Sequence, residues 1–142
     1  MSLKRLCISL VLLSASISAI AADKPAYLEN GSDVVQQVYS TVLVGFAFER
    51  KCSFLSEDER AEYKEHLKFS TELFQGYILA KKLAPNPDEA IAYVIDMAQG
   101  VKRYADRKNC DQAAKTRVKE GFDAGKNYMA LIDDELKKSL DQ

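Results

Sequence analysis

The chain has 142 residues, of which 20 are lysine or arginine and 21 are aspartate or glutamate, so its net charge is −1 at pH 7. Such a balanced mixture of charges does not indicate nucleic acid or an anionic membrane surface as a partner. The length suffices for one domain with a hydrophobic core.

The first 22 residues have the pattern of a secretory signal peptide. Lys4 and Arg5 form a basic start, residues 6–20 are mostly apolar, and small residues follow. We expect cleavage after Ala21 or Ala22, which leaves residues 23–142 as a single domain in the periplasm or outside the cell. A retained membrane anchor is the alternative, and it is disfavoured because the apolar stretch is short for a membrane span.

Residues 33–51 are predicted to form the central helix of the fold. Their apolar members recur at three- and four-residue spacing, as one face of a helix requires (Val35, Val38, Tyr39, Val42 and Phe46). Residues 42–48 are apolar on every side, which is typical of a helix in the middle of a core. A buried strand is the alternative, and the helix is favoured because no other segment alternates like a partner strand.

Three further helices are predicted, at 57–83, 87–108 and 111–138. Ser56 begins a capping box before the second helix, Asn86 followed by proline precedes the third, and Asn109 or Asp111 caps the fourth. The third helix also shows a periodic apolar stripe, which predicts its buried face (Ile91, Val94 or Ile95, Ala98, Val101 and Ala105).

Four helices joined by short loops favour an all-α, up-down-up-down four-helix bundle. In that topology the first and third loops lie at the same end. Cys52 closes the first helix and Cys110 precedes the fourth, so both cysteines are expected at that end. Because an even pair of cysteines in an exported protein usually forms a disulfide, we predict a Cys52–Cys110 bond.

Glycines interrupt the predicted helices, and Gly45, Gly100 and Gly121 are expected at a similar level below the disulfide end. Two explanations stay open. The helices either approach each other closely there, with the space filled by phenylalanines, or they enclose a small apolar ligand pocket. The residues predicted to form this level are Gly45, Phe46, Phe48, Gly100, Gly121 and Phe122.

Catalytic and metal-binding patterns are sparse in this sequence. His66 is the single histidine, and Glu62 stands one helical turn before it. That pair could ligate a metal, but no second ligand set of this kind occurs in the other predicted helices. No CxxC motif, haem attachment motif or nucleophile elbow is present. We therefore expect no enzymatic activity, no catalytic residues, no metal and no cofactor.

These observations predict a small exported helical protein that binds another protein. Inhibitor or immunity protein and stress chaperone are the two roles considered, and no motif decides between them. The alternative is a carrier of a small apolar ligand, held at the level of Gly45, Gly100 and Gly121. A homodimer is a further alternative, because the first helix is very apolar for three amphipathic neighbours to cover.

Overall fold

The computed structural model describes residues 33–141, which contain four α-helices and no strand. The helices are α1 (Asp33–Cys52), α2 (Glu57–Ala80), α3 (Pro87–Asp106) and α4 (Gln112–Leu140). The predicted all-α class and the number of helices are therefore confirmed. The predicted signal peptide at 1–22 lies outside the described residues. Within 33–141, none of the helices combines the length and hydropathy that a membrane span requires.

The helix starts follow from local capping chemistry. The Ser56 side chain accepts the backbone N–H of Glu59, whose carboxylate accepts the Ser56 backbone N–H at 2.9 Å, so the capping box is present. Asn86 accepts the backbone N–H three residues later at 3.0 Å. Asp111, rather than Asn109, caps α4 by accepting the Ala114 N–H at 2.9 Å.

Two helices end earlier than their periodicity indicates. The prediction extended the second helix to residue 83 and the third to 108, whereas α2 ends at Ala80 and α3 at Asp106. Lys82 adopts a left-handed conformation with φ of 56°, which turns the chain away from the axis of α2. The following N–H, of Leu83, then donates to the carbonyl of Ile78 at 3.0 Å and satisfies the last turn.

Helix α1 lies at the centre of the bundle and contacts each of the other three helices. The contacts pair Tyr39 with Phe74 of α2, Phe48 with Tyr104 of α3, and Gly45 with Gly121 of α4. The helix contacts three neighbours because residues 42–48 are apolar on every side. Such a helix is stable where neighbours cover it from several directions.

Helices α2 and α4 pack directly against each other and run in the same direction. The ring centroids of Tyr63 and Phe122 are 5.7 Å apart, and those of Phe69 and Tyr128 are 6.4 Å apart. In a square bundle with alternating directions, the second and fourth helices would face each other across the diagonal. Here α4 comes close to both α1 and α2.

Helix α3 covers the core through a narrower stripe than its periodicity predicts. Ala90, Val94 and Ala105 are buried, but Ile91 and Ile95 are 44% and 51% exposed. The predicted burial of Ile91 was therefore wrong, and Val94 rather than Ile95 faces the core. The two isoleucines lie one turn apart on the flank of the stripe, where three- and four-residue spacing alone does not separate core from edge.

A disulfide and a set of lysine hydrogen bonds both stabilise the disulfide end of the bundle. Cys52 and Cys110 form the predicted disulfide, with a Cα–Cα distance of 5.5 Å. The ammonium group of Lys51 donates to the carbonyls of Ala105 at 3.2 Å and Asp106 at 2.9 Å. These carbonyls belong to the end of α3, where a cation suits the negative end of the helix dipole. The end of α1 is thus attached to both of the segments that flank the third loop.

Candidate functional site

An open groove of about 800 Å³ lies between α1 and α2 near the disulfide end. Phe46 of α1 and Leu67 of α2 form its apolar floor, and both are only half-buried. Polar and charged side chains surround this floor, most of them on α2 (Arg50, Arg60, Lys64, Lys68, Glu72 and Gln75). The groove therefore combines an accessible apolar floor with a predominantly basic rim.

The apolar floor continues across α1 toward α3. A second depression, of about 260 Å³, shares Phe46, Arg50 and Leu67 with the groove and adds Ala98 and Lys102 of α3. Near the turn that joins α2 to α3, the two helices contact each other directly, with the ring centroids of Phe74 and Tyr93 6.3 Å apart. At the level of Phe46, in contrast, α2 and α3 are separated by α1 and by the two depressions. This leaves one side of α1 accessible along the bundle surface.

The cations of the rim differ in whether they have an ion-pair partner. The guanidinium of Arg60 is bound to the carboxylate of Glu49, with Nη2 at 2.9 Å and Nε at 3.0 Å from Oε1. Arg50, Lys64 and Lys68 form no ion pair within 4 Å among residues 33–141, although the charge of Arg50 also acts on Asp106 of α3. These three side chains, which we call the free cations, leave their positive charge available to a ligand at the groove.

Glu49 is the residue that the sequence analysis missed. Its side chain is fully buried, at 0% exposure. Besides Arg60, it accepts the backbone N–H of Phe54 at 2.9 Å and that of Leu55 at 3.2 Å. These bonds fix the turn in which Ser53 has a positive φ of 53°. One signal was available: an acid in the last turn of a helix opposes the helix dipole, so it is expected to have a specific partner.

Of the three glycines predicted at one level, Gly45 and Gly121 contact each other and Gly100 lies elsewhere. A Cβ on Gly45 would lie 2.3 Å from the Tyr63 hydroxyl oxygen, and one on Gly121 would lie 2.0 Å from it. The nearest atom to a Cβ on Gly100 is an Arg103 guanidinium nitrogen at 3.9 Å, so Gly100 takes no part in this contact. The distances at Gly45 and Gly121 match close helix approach, with the tyrosine hydroxyl in the remaining space.

Tyr63 is the polar centre of that contact. Its hydroxyl donates to the carbonyl of Val42 at 2.9 Å, and its ring packs against Phe46 and Phe122. Burial raises the pKa of Tyr63 well above its ordinary value, and the nearby charge of Glu49 adds to this effect. The hydroxyl therefore stays protonated and serves as a hydrogen-bond donor inside the core.

The phenylalanines predicted to line one pocket occupy three different places. Phe46 forms the floor of the groove, whereas Phe48 borders a separate depression of about 260 Å³ beside α3 and the start of α4. Phe122 packs against Tyr63 and His66 in the interface of α2 and α4. Phe46 and Phe122 are thus both half-buried and both pack against Tyr63, but only Phe46 lines the groove, while Phe48 is buried.

His66 lies in the interface of α2 and α4 and is 5% exposed. Its Nε2 is 3.6 Å from a carboxylate oxygen of Glu62, which is also bound by Lys126 of α4. Burial lowers the pKa of His66, and Glu62 opposes this shift. No group of three or more histidine, cysteine, aspartate or glutamate side chains within residues 33–141 has the arrangement of a metal site.

Comparisons of the chain with protein-family models, with curated proteins and with solved structures found no match. The groove, its free cations and the packing beneath it are therefore the observations from which a function has to be argued.

Proposed function

We propose that this protein is an exported, non-enzymatic helical module that binds another protein through the groove between α1 and α2. The proposal includes a signal peptide at 1–22, an up-down-up-down arrangement of the four helices, and a location in the periplasm or outside the cell. The disulfide is compatible with that location, because disulfides form and persist in oxidising compartments.

The observation that carries the proposal is the accessible apolar floor on the central helix. Phe46 belongs to the most apolar part of the chain, yet it is half-buried and lines two adjoining depressions. Contiguous apolar patches with a polar rim are typical of interaction surfaces, and Phe46, Leu67 and Ala98 line one continuous pair of depressions. Interfaces between proteins commonly have this arrangement, with an apolar centre and a polar border.

The shape of the groove supports a protein partner over a small ligand. Sites for small molecules usually enclose most of the ligand surface in a concave cavity. The groove is instead open to solvent, with α2 lining it from Arg60 to Gln75 and the end of α1 with the following turn lining it from Phe46 to Ser53. At the glycine level, where the carrier alternative places its ligand, the Tyr63 hydroxyl fills the space between Gly45 and Gly121.

The charge of the rim also argues against a homodimer formed through this groove. A two-fold symmetric interface places the same patch of each subunit against its copy. Whichever of Arg50, Lys64 and Lys68 lies near the two-fold axis would then face its own copy, and the basic rim as a whole would face a second basic rim. Like charges in such an arrangement repel each other, so a different protein with an acidic surface is the better occupant.

Between the two protein-binding roles, the structure favours the inhibitor or immunity type. The groove is formed in the folded, disulfide-bonded bundle and needs no unfolding to expose its floor. A chaperone that acts only after partial unfolding would need no such preformed groove. We therefore expect one partner that binds the oxidised, folded protein.

Site-specific photo-crosslinking in the producing cell tests this function. A photoreactive amino acid is introduced at Gln75 on the groove rim, and, as the matched control, at Lys115 on the exposed side of α4. We expect one discrete protein adduct from Gln75 and none from Lys115. Many adducts of different mass from Gln75 would favour the chaperone role. No adduct from Gln75 would contradict protein binding at the groove.

A further inference from the structure

We infer that the groove recognises an acidic amphipathic helix of the partner protein. The inference rests on the proposed function and specifies the chemistry of the occupant. It requires an apolar seam of about two turns on that helix, flanked by aspartate or glutamate side chains that meet Arg50, Lys64 and Lys68. The dimensions, the distribution of apolar area and the distribution of charge in the groove each support it.

The length of the groove matches a short helix. Its α2 side extends from Arg60 to Gln75, which is about 22 Å at about 1.5 Å rise per residue, or roughly four helical turns. An amphipathic helix laid into an apolar groove is one of the recurring modes of peptide recognition, with anchors at three- and four-residue spacing. A partner helix of about 15 residues would therefore lie along α2, with the segment from Phe46 to Ser53 as the opposite wall over part of that length.

The apolar floor is confined to the middle of that length. Phe46 and Leu67 lie there, and Ala98 of α3 continues the floor on the other side of α1. Two or three apolar side chains of an incoming helix can reach this area at once. The ends of the groove are polar, with Arg60 toward the start of α2 and Gln75 toward its second half.

The charge of the rim selects acidic flanks. Arg60 is neutralised by buried Glu49, and Lys102 is paired with Asp106 at 2.6 Å. The three free cations form no such ion pair among residues 33–141, and the nearby acids that partly offset them are Glu72 on the rim and Asp106, which already interacts with Arg50. Carboxylates on the flanks of an incoming helix would meet Lys64 and Lys68, which lie one turn apart on α2.

A flat anionic surface fits these features less well than a helix does. The chain as a whole has a net charge of −1, so the free cations are a local feature. Exposed acids occupy the beginning of α2, outside the lining of the groove (Glu57, Asp58, Glu59, Glu62 and Glu65). An extended anionic bilayer would meet more of this acidic end of α2 than a single helix confined to the groove would.

A displayed library of 18-residue helical peptides is the probe for this inference. Its seam positions carry Leu, Ile, Phe or Ala, and its flanks are randomised over Glu, Lys, Ser and Gln. Selection uses the oxidised full-length mature protein. We expect the selected peptides to be enriched in Glu and depleted in Lys on both flanks. No enrichment of Glu would overturn the inference.

Two matched triple variants then locate the binding. Arg50→Gln with Lys64→Gln and Lys68→Gln removes the free cations, while Lys81→Gln, Lys115→Gln and Lys137→Gln remove equal charge elsewhere. We expect the affinity for the best acidic peptide, measured by fluorescence anisotropy, to fall about tenfold or more in the first variant. It should change less than about twofold in the second. Equal affinity in both variants would overturn the inference.

The photo-crosslinking experiment separates this inference from the proposed function. A discrete adduct from Gln75, combined with selected peptides that lack acidic flanks, means that a protein binds the groove but is not an acidic helix. In that case the function stands and the inference falls. Binding of phosphatidylglycerol vesicles that is lost with the free cations would likewise overturn the inference, because a lipid surface would then be the ligand.

Discussion

Neighbouring residues of α1 face two very different surroundings. Gly45 lies so close to α4 that an added Cβ would be 3.1 Å from the Cα of Gly121. Phe46, the next residue, is half-buried and forms the floor of an open groove. We call these surroundings the closed side and the open side of α1. The comparison shows that two successive residues of one helix can differ completely in packing, with one in backbone contact with a neighbouring helix and the next lining a groove.

The disulfide is expected to make the largest contribution to the closed side. It joins Cys52 to Cys110 across a sequence separation of 58 residues, and closing a loop of that length is worth about 4 kcal/mol in the chain-entropy description. We expect the Cys52→Ser, Cys110→Ser double variant to lose about that much free energy of unfolding in urea. As a control, the wild-type protein with reductant should match the double variant. An unchanged stability in both cases would contradict the prediction.

The second prediction concerns the contact between α1 and α4. In Gly121→Ala the new Cβ would lie 2.0 Å from the Tyr63 hydroxyl oxygen and 2.8 Å from the backbone oxygen of Thr41. Because a backbone oxygen cannot move without shifting α1, we expect a loss of about 3 kcal/mol in urea unfolding. The matched control is Gly76→Ala, which would have no atom within 4 Å and should gain about 1 kcal/mol from better helix propensity.

Tyr63→Phe sharpens this second prediction. Removing the hydroxyl eliminates the shortest contact that the Cβ of Gly121→Ala would make, but the contact with Thr41 remains. The double variant should therefore recover part of the lost stability relative to the sum of the two single variants. Strict additivity of the three measurements would mean that the hydroxyl is not what limits the approach of α4.

The third prediction concerns Glu49, which lies beneath the rim of the open side. Glu49→Gln removes the charge that binds Arg60, and its amide nitrogen would face either the Arg60 guanidinium or the Phe54 N–H, both of which are donors. Arg60 is partly exposed and can be solvated instead, so we expect a loss of about 2 kcal/mol. Glu72→Gln makes the same change on the exposed rim and should stay within about 0.5 kcal/mol of wild type. Equal effects of the two substitutions would contradict the role of Glu49.

Local chemistry explains what the sequence made predictable. The capping residues Ser56 and Asn86 act on backbone N–H groups three positions away, so their sequence context contains the whole interaction. The disulfide was predictable because helix count and loop length alone place Cys52 and Cys110 at one end. In these cases the outcome does not depend on how far apart the helices lie or how they rotate about their axes.

The remaining features depend on how far apart the helices lie and how each is rotated about its axis, and periodicity determines neither. The rotation of α3 decides that Ile91 is exposed and that Gly100 takes no part in the glycine contact. The spacing of α2 and α3 around α1 decides that Phe46 lines a groove instead of filling the core. Glu49 reaches its partners across a turn, and nothing in the spacing of charges predicted that pairing.

The smallest expected effect is a pH dependence at the interface of α2 and α4, which adjoins the closed side of α1 at Val42. Burial lowers the pKa of His66 in the folded state, so the unfolded chain binds the proton first as pH falls. The stability is full above about pH 6.5, the ordinary pKa of histidine, and is lost as pH falls through the lowered folded-state value. Compared with His66→Gln, the wild type should lose stability with a slope of at most about 1.4 kcal/mol per pH unit.

The groups that face His66 predict how this slope changes. Glu62 on the same helix raises the pKa of His66, whereas Lys126 of α4 lowers it. Glu62→Gln should therefore increase the loss of stability below pH 6.5, and Lys126→Gln should reduce it. Urea unfolding from pH 7 to pH 5 measures these differences. Identical slopes for the wild type and His66→Gln would mean that protonation reaches His66 without opening the contact between α2 and α4, and that this interface is looser than the contact at Gly121.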